Sequence, residues 1–183
     1  MLRQEIVKPR SIAVVGASNS SAKPGGKVLR NLTSGNFPGP IYPVNPKERE
    51  IQGLEAYDSV EKIPPVDLAI LAIPAALCLE TSRVLLEEKQ CRGIIILSAG
   101  FSEESSEGGR IEEQIVQLVE KHGASLIGPN CIGVMTPHYH GVFTTPIPKL
   151  DPKGCDFVSG SGATAVFIME AGIPKGLTFS QVF

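Results

Sequence analysis

At 183 residues the chain can bury one sizeable core and is too short for two full domains of about 150 residues each. Its 42% hydrophobic and 20% charged residues exclude a disordered, collagen-like or coiled-coil chain, and no stretch approaches the ~18 uninterrupted apolar residues of a membrane span. The formal charge of −2 lacks the basic excess of a nucleic-acid binder. The opening MLRQEIVKPRS has no apolar core followed by a small-residue cleavage site, so a cytoplasmic location is the expectation.

In chain order, SIAVVG (11–16) is the first strand, and GKVLRNLTSGN (26–36) comes next as a helix carrying Val28, Leu29 and Leu32. PIYPV (40–44) reads as a second, weaker strand. The connection 42–66 is rich in proline and charge and predicts a loop with a short helical turn near Ser59 to Lys62. DLAILAIP (67–74) is a third strand, ALCLETSRVLLEEKQ (76–90) a helix and GIIILS (93–98) a fourth strand. In GRIEEQIVQLVEKHG (109–123), Ile111, Ile115, Leu118 and Val119 form the apolar stripe of a helix that Gly123 stops, and ASLIG (124–128) is a fifth strand. The apolar runs do not alternate with polar residues, which is the pattern of a parallel sheet covered on both faces. Ile12, Ile41, Leu68, Ile94 and Leu126 recur at about 30 residues, the length of one strand-helix-strand unit.

After Asn130 the pattern changes. Residues 132–154 carry Pro137, Pro146, Pro148 and Pro152 with few helix formers and predict a loop; CDFVSG (155–160) predicts a strand, GATAVFIMEAG (162–172) a helix and LTFSQVF (177–183) the opening of another strand. We therefore expect an α/β chain with a Rossmann-like open parallel sheet and flanking helices over residues 1–150. A second α/β domain begins over 154–183 and is expected to be cut short, because the apolar face of a lone β-α-β start needs a partner.

Ligands of open parallel sheets bind beyond the carboxyl ends of the strands, so the candidate site comprises the segment after each strand: GASNSSAKPGGKVLRNL (16–32), VNPK (44–47), IPAA (73–76), SAGFSEE (98–104) and GPNCIG (128–133). A glycine-rich loop entering a helix offers unpaired N–H groups and a positive dipole end to a phosphate. Gly16, Ser18, Gly25 and Gly26 would let the backbone approach such a ligand, whereas the plainer alternative is that Gly16 and Gly26 serve only a tight turn and close helix–strand packing. Ser20, Ser21, Lys23 and Lys27 in the same loop favour the phosphate. A nicotinamide site instead requires G-x-G-x-x-G and an acidic residue after the second strand; this chain has GASNSS and VNPK. Lys47 suits a ribose bearing an extra phosphate, as in coenzyme A or NADP, with an ordinary solvated lysine as the alternative.

Cys78, Cys91, Cys131 and Cys155 are spaced for neither zinc nor a redox pair, so reduced thiols and no metal site are expected. No partner base is placed for Cys131, which reads as a small packing residue beside Asn130. His138 and His140 read as features of a surface loop, and His122 as a favourable charge at the end of a helix.

The segments GASN…GGKVLRNL, YPVNPK, VDLAILAIPA, GIIILSAGFSE, IGPNCIGV and FVSGSGATA, in that order from about Ser11 onward, resemble the N-terminal coenzyme A-binding domain of the NDP-forming acyl-CoA synthetases, relatives of the succinyl-CoA synthetase α subunit. The resemblance implies an enzyme that interconverts acyl-CoA, NDP (ADP or GDP) and phosphate with the free acid, coenzyme A and NTP. The reaction passes through an acyl phosphate and a phosphohistidine, with Mg and the nucleotide entering only in the complete enzyme. It further implies that Gly16, Ala17, Ser18, Asn19, Gly25, Gly26 and Lys27 cradle the coenzyme's phosphates. Val44, Asn45, Pro46 and Lys47 would then flank the adenosine with its 3′-phosphate, and Ile73, Pro74 and Ala75 would face the pantetheine. Ser98, Ala99, Gly100 and Phe101, with Asn130 and Cys131, would line the place where the thioester is made or broken.

By the same resemblance, Ser159, Gly160, Ser161, Gly162, Ala163 and Thr164 start the helix whose N-terminus faces the phosphohistidine. Gly160 departs from the family, many of whose members carry glutamine or another larger residue there. The histidine and its supporting glutamate are expected beyond Phe183, in a second, flavodoxin-like domain, so no catalytic residue is assigned within the chain and turnover by the chain alone is not expected. The implied partners are coenzyme A and an ATP-grasp domain or β subunit, with no nucleic acid and no membrane; self-association through apolar surface near Phe183 is left open. Competing readings are a coenzyme A-sensing regulatory domain, free-standing or attached to an acyltransferase, an NAD(P)-binding oxidoreductase or redox sensor, and a structural domain that binds nothing small.

Overall fold

A computed structural model describes residues 2–35, 37–144 and 147–183. Asn36, at the end of the helix expected over 26–36, and Thr145 and Pro146, within the loop expected over 132–154, lie outside the described residues, as does Met1. In chain order the elements are α1 (Gln4–Val7), β1 (Ile12–Val15), α2 (Pro24–Ser34), β2 (Ile41–Val44), β3 (Glu50–Ile51), β4 (Leu54–Glu55), a 3-10 turn (Val60–Lys62), β5 (Leu68–Leu71), α3 (Ala75–Glu87), β6 (Gly93–Ile96), α4 (Ser106–Lys121), β7 (Ser125–Ile127), β8 (Gly133–Thr136), β9 (Tyr139–Val142), β10 (Cys155–Phe157), α5 (Gly162–Gly172), a second 3-10 turn (Ile173–Lys175) and β11 (Phe179–Val182).

Five strands form a parallel sheet in the order β2-β1-β5-β6-β7, with Ile12 opposite both Ile41 and Leu68. This is the Rossmann-like α/β class expected from the unbroken apolar runs. All four residues of β1, β5 and β6 are buried, because each strand faces helices or loops on both sides. One face packs Ala13, Val15, Ala69, Leu71, Ile94 and Ile96 against α3 and α4. The opposite face packs Ile12, Val14, Leu68, Ile70 and Ile95 against Val28, Leu29 and Leu32 of α2, and against Ile6, Val134 and Tyr139. No helix among the described residues is long and apolar enough to cross a membrane.

Val134 and Tyr139 belong to a hairpin, β8-β9, where the sequence reading has only a proline-bearing loop. This hairpin does the work of a helix on that face. Tyr139 donates its hydroxyl to the Ile6 carbonyl at 2.7 Å and Thr136 donates to the Val7 carbonyl at 3.0 Å, which ties the hairpin to α1. A second sheet has the order β10-β11-β8-β9: β11 runs parallel to β10 and antiparallel to β8, with Val182 opposite Met135. Residues on both sides of position 150 therefore join one sheet, closed by a small core of Met135, Val142, Met169, Phe179 and Val182. The strand–helix–strand order expected over 155–183 is present, and the second short hairpin, β3-β4, interrupts what the sequence reads as plain loop.

Candidate functional site at the carboxyl ends of the strands

In the order β2-β1-β5 the chain leaves β1 for one neighbour through α2 and later returns to the other side of β1. The crevice of such a sheet lies beyond the carboxyl ends of the two strands at this reversal, here β1 and β5. Gly16 comes directly after β1 with φ +84, and a Cβ on it would sit closer than 3.0 Å to the Ala72 carbonyl at the end of β5. Cβ atoms on Gly25 and Gly26 would run equally close to the carbonyls of Gly16 and Ser20. These glycines let α2 begin directly against the loop, so their missing side chains serve packing, the plainer of the two readings. The unpartnered end of the loop is instead the backbone at the start of α2. Pro24 has no N–H, the N–H groups of Lys23 and Gly26 donate to the carbonyls of Ser20 and Lys23, and Lys23, the N-cap, supplies no side-chain cap, which leaves, among the described residues, the Gly25 N–H and the positive dipole end without a partner.

The carbonyls of this loop are held by carboxamides from across the crevice. Asn45 donates Nδ2 to the Ala17 carbonyl at 2.8 Å and accepts from the Lys47 N–H at 2.9 Å. Gln52 donates Nε2 to the carbonyls of Ser18 and Gly26 at 2.9 and 2.8 Å, and its own N–H donates to Asn19 Oδ1 at 2.9 Å. Val44 is buried in the core, whereas Pro46 and Lys47 are exposed. Among the described residues, Lys23, Lys27 and Lys47 enter no ion pair.

Beyond β5, Pro74 is the N-cap of α3 and the Ile73 carbonyl accepts from Ser98 Oγ, which joins the loops after β5 and β6. Gly100 has φ +104. Glu103 accepts from the N–H groups of Gly100 and Phe101 at 2.8 and 3.2 Å, and Glu112 accepts from that of Ser102 at 3.1 Å. Ala99 lies exposed between these anchors. The Phe101 ring is fully buried among the side chains of the α3–α4 face, so Phe101 offers the crevice only backbone.

The hydrogen bonds from Gly100 and Phe101 hold the Glu103 carboxyl below its ordinary pKa of 4.5. A group whose folded-state pKa is depressed stabilises the fold above its unfolded pKa, and this contribution is lost as pH falls through the folded value. Glu103→Gln is therefore expected to lower the urea midpoint at pH 7, and the gap to the unmodified protein should narrow as pH drops below about 4.5. A gap that is constant from pH 7 to pH 3 would show that the carboxylate form is not what holds the loop.

Of the residues expected on the far side of the site, Asn130 and Cys131 meet the start of α5 in one cleft, which Ser98, Ala99, Gly100 and Phe101 do not line. A cavity of about 400 Å³ is lined by Asn130 and Cys131 after β7, by Glu103 and Glu112, and by Ser159, Gly160 and Gly162 at the start of α5. Asn130 adopts φ +53 and donates its N–H to the Ser98 carbonyl at 3.0 Å. Cys131 Sγ donates to the Ile96 carbonyl at 3.3 Å, and burial pushes its thiol pKa up, which suits a packing role and not a thiolate nucleophile. Ser161 caps α5 by accepting from the Thr164 N–H at 3.3 Å and from its hydroxyl at 3.1 Å. Those two hydroxyls are engaged with each other, which leaves the N–H groups of Gly162 and Ala163 for an anion. A Cβ on Gly160 would meet nothing within 4 Å, so a larger side chain has room here.

The histidines stand elsewhere. His138 is exposed at the β8-β9 turn, His140 is half-buried against Gly35 at the far end of α2, where burial lowers its pKa, and His122 Nε2 lies 3.6 Å from Glu87 Oε1. Of the residues that organise the site, Gln52 and Glu112 escape the sequence reading, and Glu103 enters it only as a member of the SAGFSEE segment, with no role assigned. Only Glu103 has a local signal, three residues after a glycine at a strand end.

The chain matches the CoA binding domain family over residues 10–137. The α subunit of acetate–CoA ligase (ADP-forming) II of Pyrococcus furiosus is 41% identical over 178 residues, covering 94% of this chain and 37% of that protein. Acetate–CoA ligase (ADP-forming) I of Archaeoglobus fulgidus is 38% identical over 186 residues, covering 98% of this chain and 26% of that protein. Among solved structures, the dinucleotide-forming acetyl-coenzyme A synthetase 1 of Candidatus Korarchaeum cryptofilum, in complex with phosphate and ADP, superposes with a TM-score of 0.88 at 29% identity, covering 98% of this chain and 38% of that one. The chain thus spans between about a quarter and two fifths of the length of these relatives.

Proposed function

Because the chain belongs to the CoA binding domain family, we propose that it is the coenzyme-binding portion of an ADP-forming acyl-CoA synthetase. The observation that carries this reading is the β1–α2 loop. Its carbonyls are engaged by Asn45 and Gln52, α2 begins without a side-chain cap, and Lys47 stands exposed at the end of the adjoining strand. N–H groups and a positive helix end suit a diphosphate, and an exposed lysine after β2 suits a phosphorylated ribose. An acidic residue there, which an NAD ribose would require, is replaced by Asn45-Pro46-Lys47.

On this reading the pantetheine arm runs past Ile73–Ala75 toward the cleft shared by Asn130, Cys131 and the start of α5. The α5 N–H groups would receive the phosphate of an acyl phosphate. The three histidines of the chain stand outside this cleft, so a phosphohistidine would have to be presented to α5 from elsewhere, as would the nucleotide, its Mg and the β subunit or ATP-grasp domain. Val158 and Phe167, 75% and 70% exposed, give the α5 region an apolar surface that supports such a contact.

Titration calorimetry with coenzyme A, 3′-dephospho-coenzyme A, NAD and NADP tests the reading. Coenzyme A is expected to bind, the dephospho form more weakly, and Lys47→Ala should weaken coenzyme A about tenfold while leaving the dephospho form unchanged, the loss of one charge-assisted hydrogen bond. Binding of NAD or NADP alone would replace the proposal with the oxidoreductase reading.

A further inference from the structure

We propose that Gln52 is a positioning residue for the coenzyme's diphosphate: through its side-chain amide it holds the β1–α2 loop in the shape that receives an anion. The proposal rests on the coenzyme reading of that loop. Gln52 lies at the tip of the β3-β4 hairpin, outside every motif of the site. Its Nε2 has two protons, and both are used: one on the Ser18 carbonyl at 2.9 Å, at the entry of the loop, and one on the Gly26 carbonyl at 2.8 Å, in the first turn of α2. A single amide group thus ties the two ends of the loop together. The hairpin is held to the loop a second time, because the Gln52 N–H donates to Asn19 Oδ1 while Asn19 Nδ2 donates to the Glu50 carbonyl at 3.1 Å.

The electrostatic consequence is direct. A carbonyl oxygen turned toward a phosphate repels it, whereas a carbonyl engaged by a donor on the far side stays turned away and leaves N–H groups as the inner surface. Fixing that arrangement before the ligand arrives removes an ordering cost from binding. The backbone supports a role specific to glutamine. Gln52 has φ +53 and Gly53 φ +82, the two left-handed positions of a tight hairpin turn, where asparagine or glycine fits the first position better. Asparagine, one methylene shorter, does not span the two carbonyls. A residue disfavoured by its backbone is present where only its length makes both hydrogen bonds.

The test compares the unmodified protein with Gln52→Asn and Gln52→Glu by calorimetry with coenzyme A, by melting midpoint, and by phosphorus NMR of the coenzyme at saturation. Gln52→Asn relieves the backbone and loses the reach; Gln52→Glu keeps the shape and replaces the donor with a carboxylate. Both are expected to bind coenzyme A about tenfold more weakly, the effect of two lost hydrogen bonds. In Gln52→Asn the lost hydrogen bonds and the relieved backbone oppose each other, so its midpoint should move by only a few degrees, and the diphosphate signals of the bound coenzyme should move while its 3′-phosphate signal stays in place. If Gln52→Asn binds within twofold of the unmodified protein with unmoved diphosphate signals, or if weaker binding merely tracks a midpoint lowered by more than a few degrees, the proposal fails and the coenzyme reading stands. If the unmodified protein does not bind coenzyme A, the coenzyme reading fails and the proposal falls with it.

Discussion

Gly16→Ala is expected to lower the stability of the protein by about 4 kcal/mol or more, a loss that few single substitutions reach. Two penalties add. A side chain at φ +84 costs about 1 kcal/mol relative to glycine. The larger part comes from the new methyl group, which would lie closer than 3.0 Å to the carbonyl oxygen and carbon of Ala72. Neither strand can retreat, because β1 and β5 are paired along their full length from Ile12 opposite Leu68 to Val15 opposite Leu71. At roughly 2–4 °C per kcal/mol for a domain of this size, the melting midpoint should fall by about 10 °C, and coenzyme A binding should fall with it because β1 and β5 flank the crevice. Gly53→Ala is the control: Gly53 also has positive φ, but nothing lies within 4 Å of the added atom, so only the conformational penalty of about 1 kcal/mol remains. Equal midpoints for the two variants in scanning calorimetry would refute the close-packing account of Gly16.

Phe101→Ala is expected to destabilise by about 3–5 kcal/mol, the range for removing a buried aromatic ring. The ring is fully buried in the core beneath α3 and α4, together with Leu85, Ile96 and Ile115. The backbone of the same residue belongs to the site: its N–H donates to Glu103, and its carbonyl packs so closely on Gly108 that a Cβ there has no room. The substitution should therefore both lower the urea midpoint and loosen the loop over 98–102. A ring that lined the thioester site would behave in the opposite way, with weakened coenzyme A binding and a stability change within about 0.5 kcal/mol. Phe167→Ala, at a ring that is 70% exposed on α5, should fall in that small range and provides the comparison.

The local pattern of the chain was enough to read the five parallel strands, the helices between them and the helical turn at Val60–Lys62, because each is recorded within a few consecutive residues, whereas the coenzyme A-binding family was legible from the resemblance of six motifs in order. Unbroken runs such as DLAILAIP report burial on both faces, and glycine, serine, asparagine or proline after each strand reports a crevice. The β8-β9 hairpin was not legible: its prolines and histidines read as loop, and it becomes structure only because Val134 and Tyr139 cover the sheet while Met135 pairs with Val182.

Motif residues also hid the direction of their side chains. Phe101 points into the core and Asn45 back to Ala17, which depends on what packs against them and not on their neighbours in sequence. Gln52 is the extreme case. Its hydrogen bonds reach residues 34 and 26 positions earlier in the chain, and a contact across that separation is set by strand order and hairpin placement. Periodicity and turn chemistry therefore determined the five parallel strands and the helices between them, whereas only the tertiary structure decided which groups hold the loop and which face the core, because hydrogen-bond partners are chosen in space.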